Sequence, residues 1–131
     1  MKEPKIRYGT KEAIDAIACQ LHLPNESWMQ DWAYIVADAD QLSMYIDLYD
    51  RTSNDNERFV LMQMIIQATD NKKQESQLSD SDWQRVRRRL ECNFELHEYT
   101  VFYWSCLEED ELEFCFHITP EIRDIWLRYQ S

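Results

Sequence analysis

The chain is nearly devoid of glycine, and Gly9 is the only one among its 131 residues. Glycine-rich loops let backbone amide groups approach phosphates closely. With one glycine, neither the dinucleotide pattern G-x-G-x-x-G nor the phosphate-binding pattern G-x-x-x-x-G-K-[ST] can be written anywhere in the sequence. The sequence therefore excludes the nucleotide sites that depend on these loops.

Basic charge is also scarce. The chain has 14 Lys and Arg against 25 Asp and Glu, a net charge of −11, and no basic arm or tail. Net negative charge repels phosphate backbones and attracts basic proteins. We therefore expect no direct nucleic-acid partner, and we expect that a basic protein is the partner.

Long hydrophobic runs are missing. No window approaches 18 consecutive apolar residues, so we expect no membrane span, and the first residues lack the apolar stretch of a signal peptide. The expected location is the cytoplasm. Its reducing conditions favour free thiols at the four cysteines, which are Cys19, Cys92, Cys106 and Cys115.

Apolar and aromatic residues are abundant: 44% of the chain is hydrophobic, and 13% is aromatic. This supplies enough material for a core without a disulfide or a metal. The length fits one domain. We therefore predict a single acidic globular domain over residues 1–131, with a polar mobile connection at about residues 70–82.

Apolar residues at helical spacing predict most of the fold. Thr10 is a predicted N-cap, and so is Ser79, which has Asp82 three residues later. The segment at about 56–69 is apolar around most of its circumference, which is typical of a central helix. A short strand is predicted at Ile6–Tyr8. The predicted helices are 11–22, one after Asn25 that includes Trp28 and Trp32, 40–50, 56–69, 80–95 and one that begins at Thr119-Pro120.

The C-terminal third is predicted differently. Residues 99–104 are β-branched and aromatic, which favours a strand. Leu112, Phe114, Phe116 and Ile118 alternate with polar residues, as in a half-buried strand. We predict a β-hairpin of 98–106 with 112–118, and the alternative is an extension of the preceding helix through Trp104. The expected fold is mainly α (α+β), a helical bundle of about five to six helices with this C-terminal hairpin.

Catalytic and metal-binding patterns are incomplete. His97-Glu98 begins H-E-x-x-H, but position 101 is Val. Two cysteines and two histidines would converge in the hairpin, yet no C-x-x-C is present, and free cysteines commonly fill core gaps. Pairs of aspartates are expected by chance in so acidic a chain. We assign no catalytic residue, no metal ligand and no cofactor. The groups weighed are Cys106, Cys115, His97 and His117 for zinc, and Asp38/Asp40 and Asp47/Asp50 for magnesium.

One basic cluster interrupts the acidic sequence. On a helix Arg85, Arg88 and Arg89 share a face, and Arg87 lies between them. The cluster could hold a phosphate or an acidic partner. The interpretation we favour is pairing within the protein, because Glu91 and Glu95 lie nearby on the same helix.

An acidic run near the C-terminus is the candidate binding surface. Its carboxylates would steer a basic partner, and exposed Tyr or Trp beside them would match an interface hot spot. A second region, within residues 25–50, offers further acidic and aromatic groups. The predicted partner-binding residues are Glu108, Glu109, Asp110, Glu111, Glu113, Tyr103, Trp104, Asp38, Asp40 and Tyr45.

These properties are those of an inhibitor. Bacterial immunity proteins and antitoxins have a similar general character: they are small, acidic and free of cofactors, and many of them bind a basic nuclease toxin. We expect a protein-binding module that neutralises a basic partner by stoichiometric binding. The alternatives are a nucleic-acid mimic or regulator of a DNA-processing system, and a metal-dependent hydrolase.

Overall fold

The computed structural model describes residues 3–26, 29 and 31–130. Of these described residues, 70% are helical. The described residues contain seven α-helices and two short 3-10 turns, at Ala39–Gln41 and Leu112–Phe114, and no strand. The helices are α1 (Lys11–Leu21), α2 (Trp32–Val36), α3 (Leu42–Arg51), α4 (Asp55–Gln74), α5 (Asp80–Cys92), α6 (Phe94–Ser105) and α7 (Thr119–Arg128).

The helices belong to two compact units. The first unit is Tyr8–Ala68, which contains α1 to α3 and most of α4. The second unit combines the described residues of Met1–Arg7 with those of Thr69–Ser131, and it contains α5 to α7. The single-domain organisation stays a prediction.

The first unit confirms the capping prediction for α1. Thr10 has extended backbone angles, and its side chain accepts a hydrogen bond from the amide of Ala13 at 3.1 Å. The helix ends at His22, whose left-handed backbone (φ 56°) lets the cap amide reach the carbonyls of Ala18 and Cys19. One of the orphan amides and two of the orphan carbonyls of the helix are thereby satisfied.

The helix predicted after Asn25 is shorter in the structure. α2 begins at Trp32, and Asn25 does not cap it, because the Asn25 side chain donates a hydrogen bond to the Asp15 carboxylate. Asp31, with φ 55°, precedes the helix without a side-chain cap. The predicted position of Trp28 lies outside the described residues.

α4 occupies the centre of the first unit's core, as its apolar circumference predicts. Its large apolar side chains are fully buried: Phe59, Val60, Leu61, Met62, Met64, Ile65 and Ile66. The single glycine is explained by this core. A Cβ atom at Gly9 would lie 2.8 Å from Cγ2 of Val60, so glycine is required for close approach to α4.

In the second unit, α5 begins at Asp80, directly after the predicted N-cap Ser79, whose side chain accepts a hydrogen bond from the Asp82 amide at 3.0 Å. α4 runs on to Gln74, so the non-helical part of the predicted connection shrinks to residues 75–79. α6 and α7 contact each other through aromatic rings. Phe102 lies 5.3 Å from Trp126, and Phe94 stacks on Tyr129 at 4.2 Å.

The predicted C-terminal β-hairpin is wrong. Residues 98–105 belong to α6, which is separated from α5 only by a break at Asn93. The alternative prediction, an extension of the preceding helix through Trp104, is therefore nearer to the observed structure than the hairpin. The buried residues of α6 recur at helical spacing: Leu96, His97, Thr100, Val101, Trp104 and Ser105. Burial of this face outweighs the strand propensity of the β-branched and aromatic residues. Without a partner strand, 112–118 forms only a 3-10 turn and loop.

The strand predicted at Ile6–Tyr8 is also not formed, and these residues have no regular secondary structure. No helix among the described residues is both long and apolar enough to cross a membrane. The predicted cytoplasmic location stays a prediction.

Candidate functional site

The acidic run lies in a connection between α6 and α7, here called the acidic loop (residues 106–118). α6 ends because Cys106 adopts a left-handed backbone with φ 50° and ψ 48°. This turns the chain away from the helix axis. The loop that follows carries Glu108, Glu109, Asp110, Glu111 and Glu113, and no Lys or Arg.

Arg123 of α7 holds the start of the acidic loop. Its Nε donates to the Ser105 carbonyl at 2.6 Å. Its Nη2 donates to the carbonyls of Cys106 at 2.7 Å and Glu109 at 2.9 Å. The planar guanidinium can satisfy several acceptors at fixed angles, which a lysine cannot. The side chain therefore fixes the backbone of the loop and leaves the carboxylates unneutralised.

A second set of contacts holds the end of the loop. The Phe116 ring lies 4.2 Å from the Trp104 ring and 5.7 Å from that of Tyr103. The Thr119 hydroxyl donates to the Trp104 carbonyl at 2.9 Å and accepts from the Phe116 amide at 3.2 Å. Thr119 thus ties the loop to α6 and does not act as the predicted N-cap, a position that Ile118 occupies without a side-chain bond.

One buried carboxylate completes this anchor. The Ile118 amide donates to Oδ1 of Asp70 at 2.9 Å, and both residues are buried. Ile118 immediately precedes α7, where a negative charge is favoured by the helix dipole. A residue 48 positions earlier in the sequence therefore satisfies a backbone donor at the end of the acidic loop.

The outer side of the loop combines apolar and acidic groups. Phe114 is 67% exposed, Leu112 is 50% exposed, and Tyr103 of α6 is 46% exposed. Among the residues that the structure describes, none of the five loop carboxylates forms an ion pair. The site is thus an apolar tip surrounded by unneutralised negative charge.

Two of the predicted partner-binding aromatics are buried. Trp104 is 1% exposed in the second unit, and Tyr45 is 2% exposed in the first, so their rings contribute to the core. The Tyr45 hydroxyl accepts a hydrogen bond from the Asp38 amide at 3.0 Å, and burial raises the pKa of this phenol. Asp38 and Asp40 are exposed, and the Asp38 carboxylate accepts from the Asp40 amide.

The structure thus brings together the loop carboxylates and Tyr103, while Asp38, Asp40 and Tyr45 belong to the first unit. The sequence gives no sign that Phe114 and Leu112 are exposed, because their alternation with polar residues predicts an inward-facing strand. It does not indicate the role of Arg123 either. An isolated arginine within an amphipathic helix gives no local signal that it binds carbonyls 14 to 18 residues away.

Two thiols lie at the base of the loop. The Cys115 Sγ is 4.0 Å from the Cys106 carbonyl and 3.7 Å from Nη2 of Arg123. Burial, followed by a hydrogen bond with the Cys115 thiol, raises the pKa of Cys106 to about 11. No group of three or more metal-ligating side chains is found within residues 3–26, 29 and 31–130. Of the two histidines weighed for zinc, His97 is buried and His117 is exposed.

The arginine cluster of α5 is paired within its own unit for the most part. Arg87 donates to Glu91 at 2.8 Å, which raises the pKa of the guanidinium, and it lies 3.7 Å from Asp124. Arg85 is 3.8 Å from Asp82. Arg128 of α7 reaches the same Glu91 at 3.0 Å. These contacts agree with the internal-pairing interpretation that we favour for the cluster.

The first unit contains a cleft of about 680 Å³. Its lining includes Gly9, Ile14, Trp32, Asp15 and Lys11. Asp15 is already engaged by Asn25 and by Lys11 at 3.9 Å, and the Trp32 Nε1 donates to the Pro24 carbonyl at 2.6 Å. Asp15 and Trp32 of the cleft thus have partners within the unit, whereas the five carboxylates of the acidic loop form no ion pair in the described structure.

Comparison with known proteins gives no match: no protein family, no curated protein and no solved structure is significantly similar to the chain. A functional argument therefore rests on the site alone.

Proposed function

We propose that the chain is a protein-binding module that holds a basic partner protein at the acidic loop. The observation that carries this proposal is the exposure of Phe114 and Leu112 among five carboxylates that have no ion-pair partner in the described structure. Apolar side chains of this size gain free energy when a partner covers them. The surrounding carboxylates select a partner of positive charge.

The two kinds of side chain have different roles in this proposal. The carboxylates attract a basic surface over several ångströms and raise the association rate, an effect that salt weakens. The Phe114 and Leu112 side chains make the short-range contacts that slow dissociation. Because Arg123 and Asp70 already hold the loop backbone, little conformational entropy is lost on binding.

The inhibitor form of the proposal follows from charge. A protein that binds nucleic acid carries Lys and Arg where the phosphates lie. The acidic loop would occupy such a surface, so stoichiometric binding would neutralise a basic nuclease or toxin. Action as an immunity protein or antitoxin in the cytoplasm is part of the proposal.

Photo-crosslinking tests this proposal directly. We would replace Phe114 with p-benzoylphenylalanine in the full chain, irradiate it in native lysate, and identify the adducts by mass spectrometry. Ile35, which is 53% exposed in the first unit, is the matched control position. We expect one basic protein to crosslink at position 114 and not at position 35. This crosslink should be lost at high salt. The same adducts at both positions, or none, would contradict it.

A charge-matched pair of variants then tests the captured protein. Glu108→Gln, Glu111→Gln and Glu113→Gln remove three loop charges, and the control removes the same number at exposed positions elsewhere. Each loop charge contributes about 0.5 kcal/mol to binding, so we expect the loop variant, which lacks three of them, to bind about tenfold more weakly at low salt. Equal affinities for the two variants would show that the loop is not the interface. The control substitutions are Glu12→Gln, Asp47→Asn and Glu75→Gln, all at exposed residues.

A further inference from the structure

The two cysteines of the acidic loop lie together although they are nine residues apart in sequence. Nη2 of Arg123 is 2.7 Å from the Cys106 carbonyl and 3.7 Å from the Cys115 sulfur, so a single nitrogen contacts both residues. The Cys115 Sγ also lies 4.0 Å from the Cys106 carbonyl and 3.7 Å from the Glu111 carbonyl. The Cys115 sulfur therefore lies beside the backbone of Cys106.

The surrounding structure keeps this arrangement in place. The amide of Cys115 donates to the Leu112 carbonyl at 3.0 Å, and the amide of Cys106 donates to the Tyr103 carbonyl at 3.3 Å. Both cysteines are half-buried, so a small oxidant can reach them from solvent. Cys19 and Cys92 are exposed, and they lie on α1 and α5.

We propose that Cys106 and Cys115 form a reversible disulfide that closes the acidic loop into a ring, with a small-molecule disulfide such as glutathione disulfide as the oxidant. Disulfide formation requires the two sulfur atoms to approach with little backbone movement. Arg123 and the turn at Leu112–Phe114 already bring the ends of the loop together. The bond does not depend on what the loop binds.

The chemistry balances through two exchange steps. The Cys115 thiolate attacks one sulfur of glutathione disulfide, which forms a mixed disulfide and releases one glutathione thiolate. The Cys106 thiolate then attacks the Cys115 sulfur, the mixed disulfide breaks, and the second glutathione leaves. Two protein thiols are oxidised, one disulfide is reduced, and the two thiol protons pass to the released glutathione. Cys106 reacts second because its raised pKa leaves it mostly protonated.

The ring would restrict the segment that carries Leu112, Phe114 and the carboxylates. A crosslink across a short loop limits local opening of its backbone. The oxidised chain should resist cleavage after the loop glutamates by a glutamate-specific protease, with a rate at least about tenfold lower than that of the reduced chain. This measurement requires no partner protein.

The test uses the full chain with Cys19→Ser and Cys92→Ser, which leaves only the two loop thiols and changes only exposed positions. The protein is equilibrated in glutathione buffers of increasing oxidised fraction, alkylated with iodoacetamide, and measured by mass spectrometry. We expect alkylation to fall from two thiols to none, with a peptide crosslinked between Cys106 and Cys115. Glutathione adducts without an internal crosslink, or crosslinked dimers, would overturn the proposal.

Two single-thiol variants control for simple reactivity. In the same background, Cys106→Asn keeps a residue that tolerates the left-handed backbone, and Cys115→Ser removes the other thiol. Both should accumulate one glutathione adduct, and Cys115 should react faster than Cys106. If a variant fails to fold, peptide mapping of the wild-type chain by mass spectrometry shows which of the two cysteines carries the glutathione adduct. If the adduct forms first at Cys106, the proposed order of attack is wrong.

Discussion

Replacement of Arg123 by alanine should loosen the acidic loop without unfolding the protein. Ser105 is fully buried, so its carbonyl would lose its guanidinium partner in a place that water does not reach. An unsatisfied buried acceptor costs about 1–3 kcal/mol. The carbonyls of Cys106 and Glu109 are in half-buried residues, where water can replace the guanidinium, so each adds about 0.5–1 kcal/mol.

The expected total is about 3 kcal/mol, which is less than the ~5–15 kcal/mol that stabilises a typical domain. For a chain of 131 residues, a loss of this size lowers Tm by about 10 °C. Arg123→Lys keeps the charge but not the fork of donors, so it should recover only a minor part of the loss.

Thermal unfolding followed by circular dichroism measures the stability, and a glutamate-specific protease measures local opening at Glu108–Glu113. Cleavage should be at least about tenfold faster in Arg123→Ala. The reasoning fails if the Tm of Arg123→Ala falls by less than about 3 °C, which corresponds to about 1 kcal/mol, and cleavage within the loop is unchanged. Such a result would mean that the loop backbone is held without the guanidinium.

Three further perturbations test other parts of the structure. Gly9→Ala places a Cβ 2.8 Å from Cγ2 of Val60, so we expect the free energy of unfolding to fall by about 1–3 kcal/mol. The loss should be smaller when Val60 is also replaced by alanine. If a double-mutant cycle in denaturant gives additive losses, the two residues do not interact and the reasoning fails. Because the pKa of Tyr45 is raised in the folded state, the phenol ionises first in the unfolded chain; the free energy of unfolding should fall as pH rises above about 10, and Tyr45→Phe should reduce this slope in urea titrations. Asp70→Ala leaves the buried Ile118 amide without its acceptor and should lower the free energy of unfolding by about 1–3 kcal/mol. Asp70→Asn keeps an acceptor oxygen and should lower it less. Equal urea midpoints for the two variants would count against this hydrogen bond.

The helices of the first unit were largely predictable from sequence. Thr10 lies directly before an apolar repeat, and its side chain caps α1 as expected. The apolar circumference of α4 predicts full burial, which Phe59 and Ile66 show. These features depend on residues within one or two turns of each other, so they leave a local pattern. The limits of α2 were not predictable, because Asn25, a good capping residue, binds Asp15 instead.

The candidate site was only partly predictable. The charge of Glu108–Glu113 and its position before α7 follow from the sequence. The alternation of Leu112, Phe114 and Phe116 predicts a strand, yet Phe114 is exposed and the Phe116 ring contacts Trp104. An alternating pattern becomes a strand only when another strand accepts its backbone hydrogen bonds, and the expected partner forms α6.

Sequence alone determined the acidity of this protein, the absence of glycine-rich phosphate sites and most of its helices, because composition and helical periodicity are local properties. Only the tertiary structure decided that residues 98–105 are helical and that Arg123 and Asp70 hold the two ends of the acidic loop. These contacts join residues 14 to 48 positions apart. A hydrogen bond over such a separation depends on how the chain folds back on itself, and no periodicity in the sequence records it.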